Sequence, residues 1–490
     1  MSQHATIVPR SPLAAPKRPA APTRALVITS SFAASDMPAR CGDNCYSYYF
    51  VQRAFAPLLT EWGEVHEVSR PEAELAPAIA ALGRAGRAPA HLSFLPLQYV
   101  ELAPSVPNVA FPFWEYPDVP NCDVAGNPRN NWPRVAEKLA LILTACDFTR
   151  DALLRAGVRV PIHVVPVPIA GRYFEIDDWR PDERVVLECP CYVLPQEDAP
   201  GTTGQERPAA TGLAARARGA YRRQVRPRMP APLDRLLSTA GRTLLGRAES
   251  PPPPDPFPLP YAVSERLELS GVVYTSIFNP FDERKNWQDL LAAFLTATRE
   301  WDDVTLVLKL AVSKSMAREG LHRVLSYHQR LGLRHRSRLA VISEYLSDDQ
   351  MAALARASTY YLNASRGEGA CLPLQDSLAA GRPAVTPAHT AMAEYIDERL
   401  AFVVASHSKP THWSWDPERR VTTSWHCVEC ADLERQIRAS RETAIREPSR
   451  YRDMAQEARA RMSGFAGPDS VRPRLAEALG SIWTGENGTT

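Results

Sequence analysis

The chain has 490 residues, 45% of them apolar, with 57 Lys and Arg against 55 Asp and Glu and a formal charge of +2. That length exceeds what one hydrophobic core supports, so two domains of ordinary size are expected. The near-zero charge excludes a strongly basic nucleic-acid binder, and no run approaches the ~20 apolar residues that cross a bilayer.

Residues 1–24 carry Pro and Arg where a signal peptide has an apolar stretch, so they read as a disordered tail and the protein as cytoplasmic. From Ala25 the segment ALVITS is a short apolar strand, Asp43 to Trp62 reads as helix, and VAFPF, Val109 to Phe113, as a buried strand. LALILTAC, TRDALLRAG and IHVVPVPI continue the alternation, and such uninterrupted apolar strands suit a parallel sheet covered on both faces. A first Rossmann-like domain is therefore expected over 25–195.

Residues 196–262 break the pattern with TTG, PAPLD and PPPPDPFPLP and read as a Pro/Arg-rich linker or insertion. Arg207, Arg216, Arg218, Arg222, Arg223, Arg226 and Arg228 precede an amphipathic candidate helix, Leu233 to Arg247. The stretch Arg207 to Arg247 is either a solvated spacer or an element that lies on an anionic membrane surface and makes the protein peripheral to the inner face of the membrane.

After Leu267 the strands GVVYTSI, VTLVLKL, RLAVI, TYYLNA and PAVT alternate with helices, which predicts a second Rossmann-like domain over 263–430. Asn286 is placed to cap the helix NWQDLLAAFLTATRE. Residues 431–490 are helical and charged and are expected to pack back on the domain junction. The nine cysteines offer no second pair at zinc-ribbon spacing, and His426 with Cys427 and Cys430 falls short of four ligands, so reduced thiols and no metal site are expected.

Open α/β sheets bind ligands beyond the carboxyl ends of their strands, which directs attention to two loops. In SRGEGACLPLQD, Ser365 to Asp376, Gly367 and Gly369 permit close backbone approach and Pro373 suits a first helical turn. The helix beginning near Cys371 offers amides and a positive dipole end to a diphosphate, flanked by Glu368 and Asp376, whose carboxylates suit sugar hydroxyls. In FNPFDERKN, Phe278 to Asn286, Arg284 and Lys285 stand where they offset diphosphate charge. Lys309, in VTLVLKL, either adds to that site or is a structural lysine.

These segments resemble the E-x7-E region and the Arg/Lys diphosphate motif of retaining GT-B glycosyltransferases of the group 1 family. The resemblance covers the second domain well and the first in outline. It implies two Rossmann-like domains facing a cleft, and transfer of a hexose from a nucleoside-diphosphate sugar to a glycan or lipid-linked acceptor, such as a bacterial surface polysaccharide, with retention of configuration and no cofactor or essential metal. It implies Glu368 on the donor hexose, Asp376 on the ribose, Lys285 on the diphosphate, and backbone donors around Gly369, Ala370, Cys371 and Leu372.

Two positions depart from the family pattern. Asp376 is one methylene shorter than Glu, so it reaches the ribose either directly from a closer helix or through water. Asn279 stands where the family often has a second diphosphate-binding Arg, with Arg284 or Lys309 to compensate. In the first domain SSFAASDMPARCGDN replaces a Gly-rich loop, and Gly42, Asp43 and Asn44 either approach the substrates or form an ordinary turn. Trp114 either stacks on a sugar or is structural. Glu115 either orients an acceptor hydroxyl, where many members have His, or lies on the surface. His389 and Thr390 either line the nucleotide side of the cleft or cap a helix, and the aromatics of THWSWDPERR serve either a carbohydrate platform or core packing. The competing functional readings are a GT-B sugar-nucleotide epimerase and a non-catalytic nucleotide-sugar-binding protein held at a membrane.

Overall fold

The computed structural model of the chain describes residues 23–484 apart from 104, 195–262, 414, 415 and 417. The insertion with its candidate helix Leu233 to Arg247, and all but the end of the predicted tail, lie outside the described residues.

The first sheet has six parallel strands in the order β2-β1-β3-β4-β5-β6. They are β1 (Arg24–Thr29), β2 (Glu64–Val68), β3 (Ala88–Ser93), β4 (Asn108–Ala110), β5 (Leu141–Thr144) and β6 (Ile162–Val164). Its helices are α1 (Met37–Arg40), α2 (Tyr46–Thr60), α3 (Pro71–Arg84), α4 (Trp132–Ala136), α5 (Asp147–Arg155) and α6 (Gly171–Phe174). Alternate residues of β1 explain its unbroken apolar sequence. Leu26 and Ile28 pack with Phe55 and Leu59 of α2, while Ala25 and Val27 face Leu75, Ile79 and Leu82 of α3. The strand expected over Val109 to Phe113 ends at Ala110, because Pro112 has no N–H for a ladder bond. The unit β2-α3-β3 fills the interval from Glu64 to Ser93, between the expected helix and the strand that starts at Asn108.

The second sheet has eight strands in the order β14-β13-β12-β9-β10-β11-β7-β8. They are β7 (Val185–Leu194), β8 (Val263–Leu269), β9 (Val272–Phe278), β10 (Val304–Leu310), β11 (Arg338–Ile342), β12 (Tyr360–Leu362), β13 (Ala384–Pro387) and β14 (Ala401–Val404). The helices α7 (Trp287–Ala297), α8 (Ala317–Leu331), α9 (Asp348–Ala357) and α10 (Leu372–Ala379) alternate with the parallel strands. One sequence assignment is corrected. β7, counted with the first domain, pairs antiparallel with β11, and β8 pairs antiparallel with β7, so the chain leaves the second sheet at Leu194 and re-enters it at Val263.

A hairpin, β15 (Ser406–His412) and β16 (Thr422–Val428), follows β14. Three helices complete the chain, α11 (Cys430–Arg446), α12 (Pro448–Ala466) and α13 (Pro468–Thr484). Ala458 and Met462 of α12 pack on Leu374 and Leu378 of α10, whereas Val471, Leu475 and Leu479 of α13 enter the core of the first sheet. The C-terminal helices thus cross from the second domain to the first.

The lower core of the first domain is aromatic. Trp114 contacts Trp132 at 4.7 Å, Trp413 at 5.5 Å and Tyr116 at 5.6 Å between ring centroids. Trp132 is fully buried and its indole N–H donates to Gln98 Oε1 at 2.8 Å. Replacing it empties a large volume and orphans that acceptor, so Trp132→Ala is expected to lower unfolding free energy by about 3–5 kcal/mol in a urea titration.

Candidate active site

The parallel strands of the second sheet reverse their order between β9 and β12, so the loops after those two strands flank the crevice where such sheets bind ligands. The first loop closes on itself, because the Asp282 carboxylate accepts from Arg284 N–H at 3.0 Å and starts a single 3-10 turn, Glu283–Lys285. Asn286 occupies the cap position of α7, as the sequence suggested, but its side chain does not cap the helix. With φ of +48° it donates to Ala364 O and accepts from Arg366 Nη2, tying the first loop to the second.

Those ties set charged groups from three segments against one another. Lys285 Nζ lies 2.7 Å from Glu368 Oε1. Arg284 reaches Glu368 at 3.0 Å, Asp282 at 2.8 Å, Glu115 of the first domain at 3.3 Å and Gly367 O at 2.6 Å. Burial alone would push the Glu368 carboxyl up, but the Lys285 ammonium and Arg284 guanidinium outweigh it and hold the group at about 2. Glu115 moves the other way. Burial raises it, and the nearby Arg284 only partly offsets that.

The loop that carries Glu368 is fastened from behind. Thr390 Oγ1 accepts from Glu368 N–H at 2.9 Å, and His389 Nε2 donates to Ser365 O at 2.9 Å while its Nδ1 accepts from Ser406 Oγ. Burial and the adjacent His426 push His389 down to about 4, so its ring is neutral. His389 and Thr390 therefore support the loop rather than form a nucleotide wall or a side-chain cap. The two glycines also have an unexpected neighbour. A Cβ on Gly367 would stand 2.7 Å from Glu115 O, and one on Gly369 would stand 3.0 Å from Trp114 O, so they admit first-domain backbone.

At the start of α10, Cys371 has φ of +60° and Ala370 O accepts from Gln375 Nε2 and Tyr395 OH. Among the described residues the N–H groups of Ala370, just before the helix, and of Cys371 and Leu372, at its start, have no partner. Asp376, one turn in, borders a narrow cavity with Tyr173, Thr275, Leu354, Tyr361 and Pro373. Burial raises its carboxyl to about 7 despite Arg53 nearby.

Other sequence candidates lie elsewhere. Asn279 uses its amide across the domain junction, donating to Gly42 O at 3.0 Å and accepting from Phe281 N–H at 2.9 Å. Gly42 packs on the backbone of Ala311 and Val312, and α2 is capped by Cys45, so Gly42, Asp43 and Asn44 form a docking turn. Lys309 joins none of the contacts above. It donates to Leu310 O at 2.9 Å beside Cys41, Glu344 and Cys189, and burial lowers its pKa. Trp114 is structural, with its N–H on Asp118 O. Trp413 likewise belongs to the core.

Two residues that the sequence did not single out belong to the site. Asp282 shares Arg284 with the two glutamates. Tyr46, at the start of α2, lies among Asp282, Glu368 and Arg284, and burial raises its phenol. Asp282 was legible as an acid two residues before Arg284, whereas nothing marked Tyr46 among the aromatics around it.

The chain shares its fold with solved structures. Sucrose-phosphate synthase from Thermosynechococcus elongatus superposes with a TM-score of 0.50 at 11% identity, over 94% of this chain and 100% of that one. A glycosyltransferase from Rickettsia africae superposes with a TM-score of 0.50 at 10% identity, over 94% of this chain and 98% of that one. The architecture is therefore that of two Rossmann-like domains of the GT-B type. No family model matches the chain, and no curated protein matches it.

Two outcomes test the geometry. A carboxyl with a folded pKa near 7 and an unfolded value near 3.8 opposes folding increasingly as pH rises between those values. Asp376→Asn is therefore expected to raise the melting temperature relative to the parent at pH 8 and to leave it unchanged at pH 4. Gly367→Ala forces its methyl onto Glu115 O, and should lower the melting temperature by several degrees, since about 1–3 kcal/mol is typical of an overpacked contact.

Proposed function

We propose that this protein is a retaining hexosyltransferase that moves a hexose from a nucleoside-diphosphate sugar to a glycan or lipid-linked acceptor. The observation that carries the reading is Glu368, fully charged and locked on Lys285 and Arg284, directly before the open amides of a helix that presents Asp376 one turn later. The fold shared with sucrose-phosphate synthase and a glycosyltransferase supports it, while the chemistry rests on the site.

In this reaction the diphosphate takes the amides of Ala370, Cys371 and Leu372 and the Lys285 ammonium, which neutralise charge developing on the leaving group. Arg284, already held by four oxygens, keeps Glu115, Asp282 and Glu368 in register rather than binding phosphate. Glu368 accepts from hydroxyls of the donor hexose and Asp376 from the ribose. Glu115, which meets Arg284 from the first domain, orients the acceptor hydroxyl, whose oxygen attacks the anomeric carbon from the face the nucleoside diphosphate departs from and whose proton passes to the departing diphosphate oxygen. The cation and the amides do the work of a divalent metal, so none is required. A lipid-linked acceptor fits the Arg-rich stretch from Arg207 to Arg247, which supplies cations for an anionic membrane surface.

The test is release of nucleoside diphosphate from a panel of nucleotide sugars with and without acceptor lipids, in EDTA. Turnover should persist in EDTA, the product should keep the donor's anomeric configuration by NMR, and Glu368→Gln and Lys285→Ala should each lower kcat by about 10²–10³-fold. Nucleotide binding without turnover of any donor would leave a binding protein instead.

A further inference from the structure

The hairpin β15–β16 touches both halves of the site. At its middle, the Trp425 ring lies 4.4 Å from the Arg366 guanidinium, His426 N–H donates to Arg366 O at 2.8 Å, and the His426 ring stacks on His389 at 4.2 Å. Arg366 is two residues before Glu368, and its own N–H donates to Arg284 O at 2.7 Å. At its tip, Trp413 and Val421 are buried in the aromatic core of the first domain, against the Trp114 ring. Trp114 is the neighbour of Glu115, and Thr423 Oγ1 donates to Asp118 Oδ2 close by at 3.4 Å. The tip is internally braced, since buried Asp416 accepts from Glu418 N–H at 3.0 Å, Val421 N–H at 2.8 Å and Arg420 N–H.

A two-stranded ribbon alone is marginal in water, so its order comes from these anchors. Its middle fixes the loop of Glu368 and its tip fixes the segment after β4 that carries Glu115. We propose that the hairpin is a clasp that ties the two halves of the site together, with Trp413 and Trp425 as its positioning residues. It rests on the reading that Glu115 and Glu368 serve one site. The first-domain core is built with Trp413 of the second domain inside it.

Amide hydrogen exchange on the full-length, ligand-free protein tests the clasp without reference to turnover. In Trp413→Ala, peptides covering 113–118 and 365–370 should both exchange about tenfold faster, while β1 and β10 keep their parent rates. Trp413→Phe, which keeps an aromatic ring and loses only an N–H that has no partner among the described residues, should restore most of the protection. Trp425→Ala, at a half-buried position, should accelerate 365–370 and leave β1 and β10 unchanged. Acceleration confined to the hairpin, or spread evenly over the whole chain, would overturn the proposal. If Trp413→Ala does not fold, Trp425→Ala decides alone, and unchanged exchange at 365–370 overturns it. Should the clasp fail while donors are still turned over, the proposed reaction stands, and the converse result separates the two equally well.

Discussion

The Arg284 guanidinium is largely withdrawn from water and held by four oxygens, on Asp282, Glu115, Glu368 and Gly367, which come from three separated stretches of chain. A buried cation is costly unless it is surrounded in this way, and removing one partner of such a group leaves an uncompensated charge. What the arrangement gives in return is register rather than net stability. It requires the loop after β9, the loop after β12 and the end of the first domain's β4 segment to arrive at one point. The close backbone contacts of Gly367 and Gly369 are the steric counterpart of that electrostatic demand, because any side chain there would separate Glu115 from Arg284.

Much of the second domain was legible because its strands and helices switch cleanly between periods, and because a strand followed by glycines, an acid and a helix start carries its chemistry locally. Glu368, Arg284 and Lys285 come together from the two loops to which those signals point. Residues whose role depends on distant partners were not legible. Lys309 reads alike whether it faces a phosphate or a backbone carbonyl, and Asn279 reads as a failed Arg until Gly42 is seen to need a donor. β7 continues the first domain's apolar pattern and joins the second sheet, since alternation records that a strand is buried but not in which sheet. The hairpin was missed for a related reason. SHSKPTH carries little apolar sequence, and only its tip and Trp425 are anchored in a core.

The sign of the charge in the cluster constrains how the proposed donor enters. Asp282, Glu115 and Glu368 outnumber Arg284 and Lys285, so the site as it stands is no cationic basket for a diphosphate. Cationic attraction must come from Lys285, whose ammonium engages one carboxylate oxygen and keeps further donors, and from the helix amides.

The two acids of the second loop illustrate how far one turn of helix separates environments. Glu368 faces two cations and stays charged to about pH 2, whereas Asp376 borders tyrosines and apolar side chains and titrates near 7. At neutral pH a large part of Asp376 is therefore protonated, and a protonated carboxyl both donates and accepts where a carboxylate only accepts. For a ribose diol on the proposed donor this is a workable partner, since one hydroxyl can give and the other receive. A neutral acid also spares the nearby diphosphate a repulsion that a second full charge would impose. The shortened side chain and the shifted protonation have one cause: Asp at this position keeps its carboxyl against the packed side of α10, where water does not stabilise the ion.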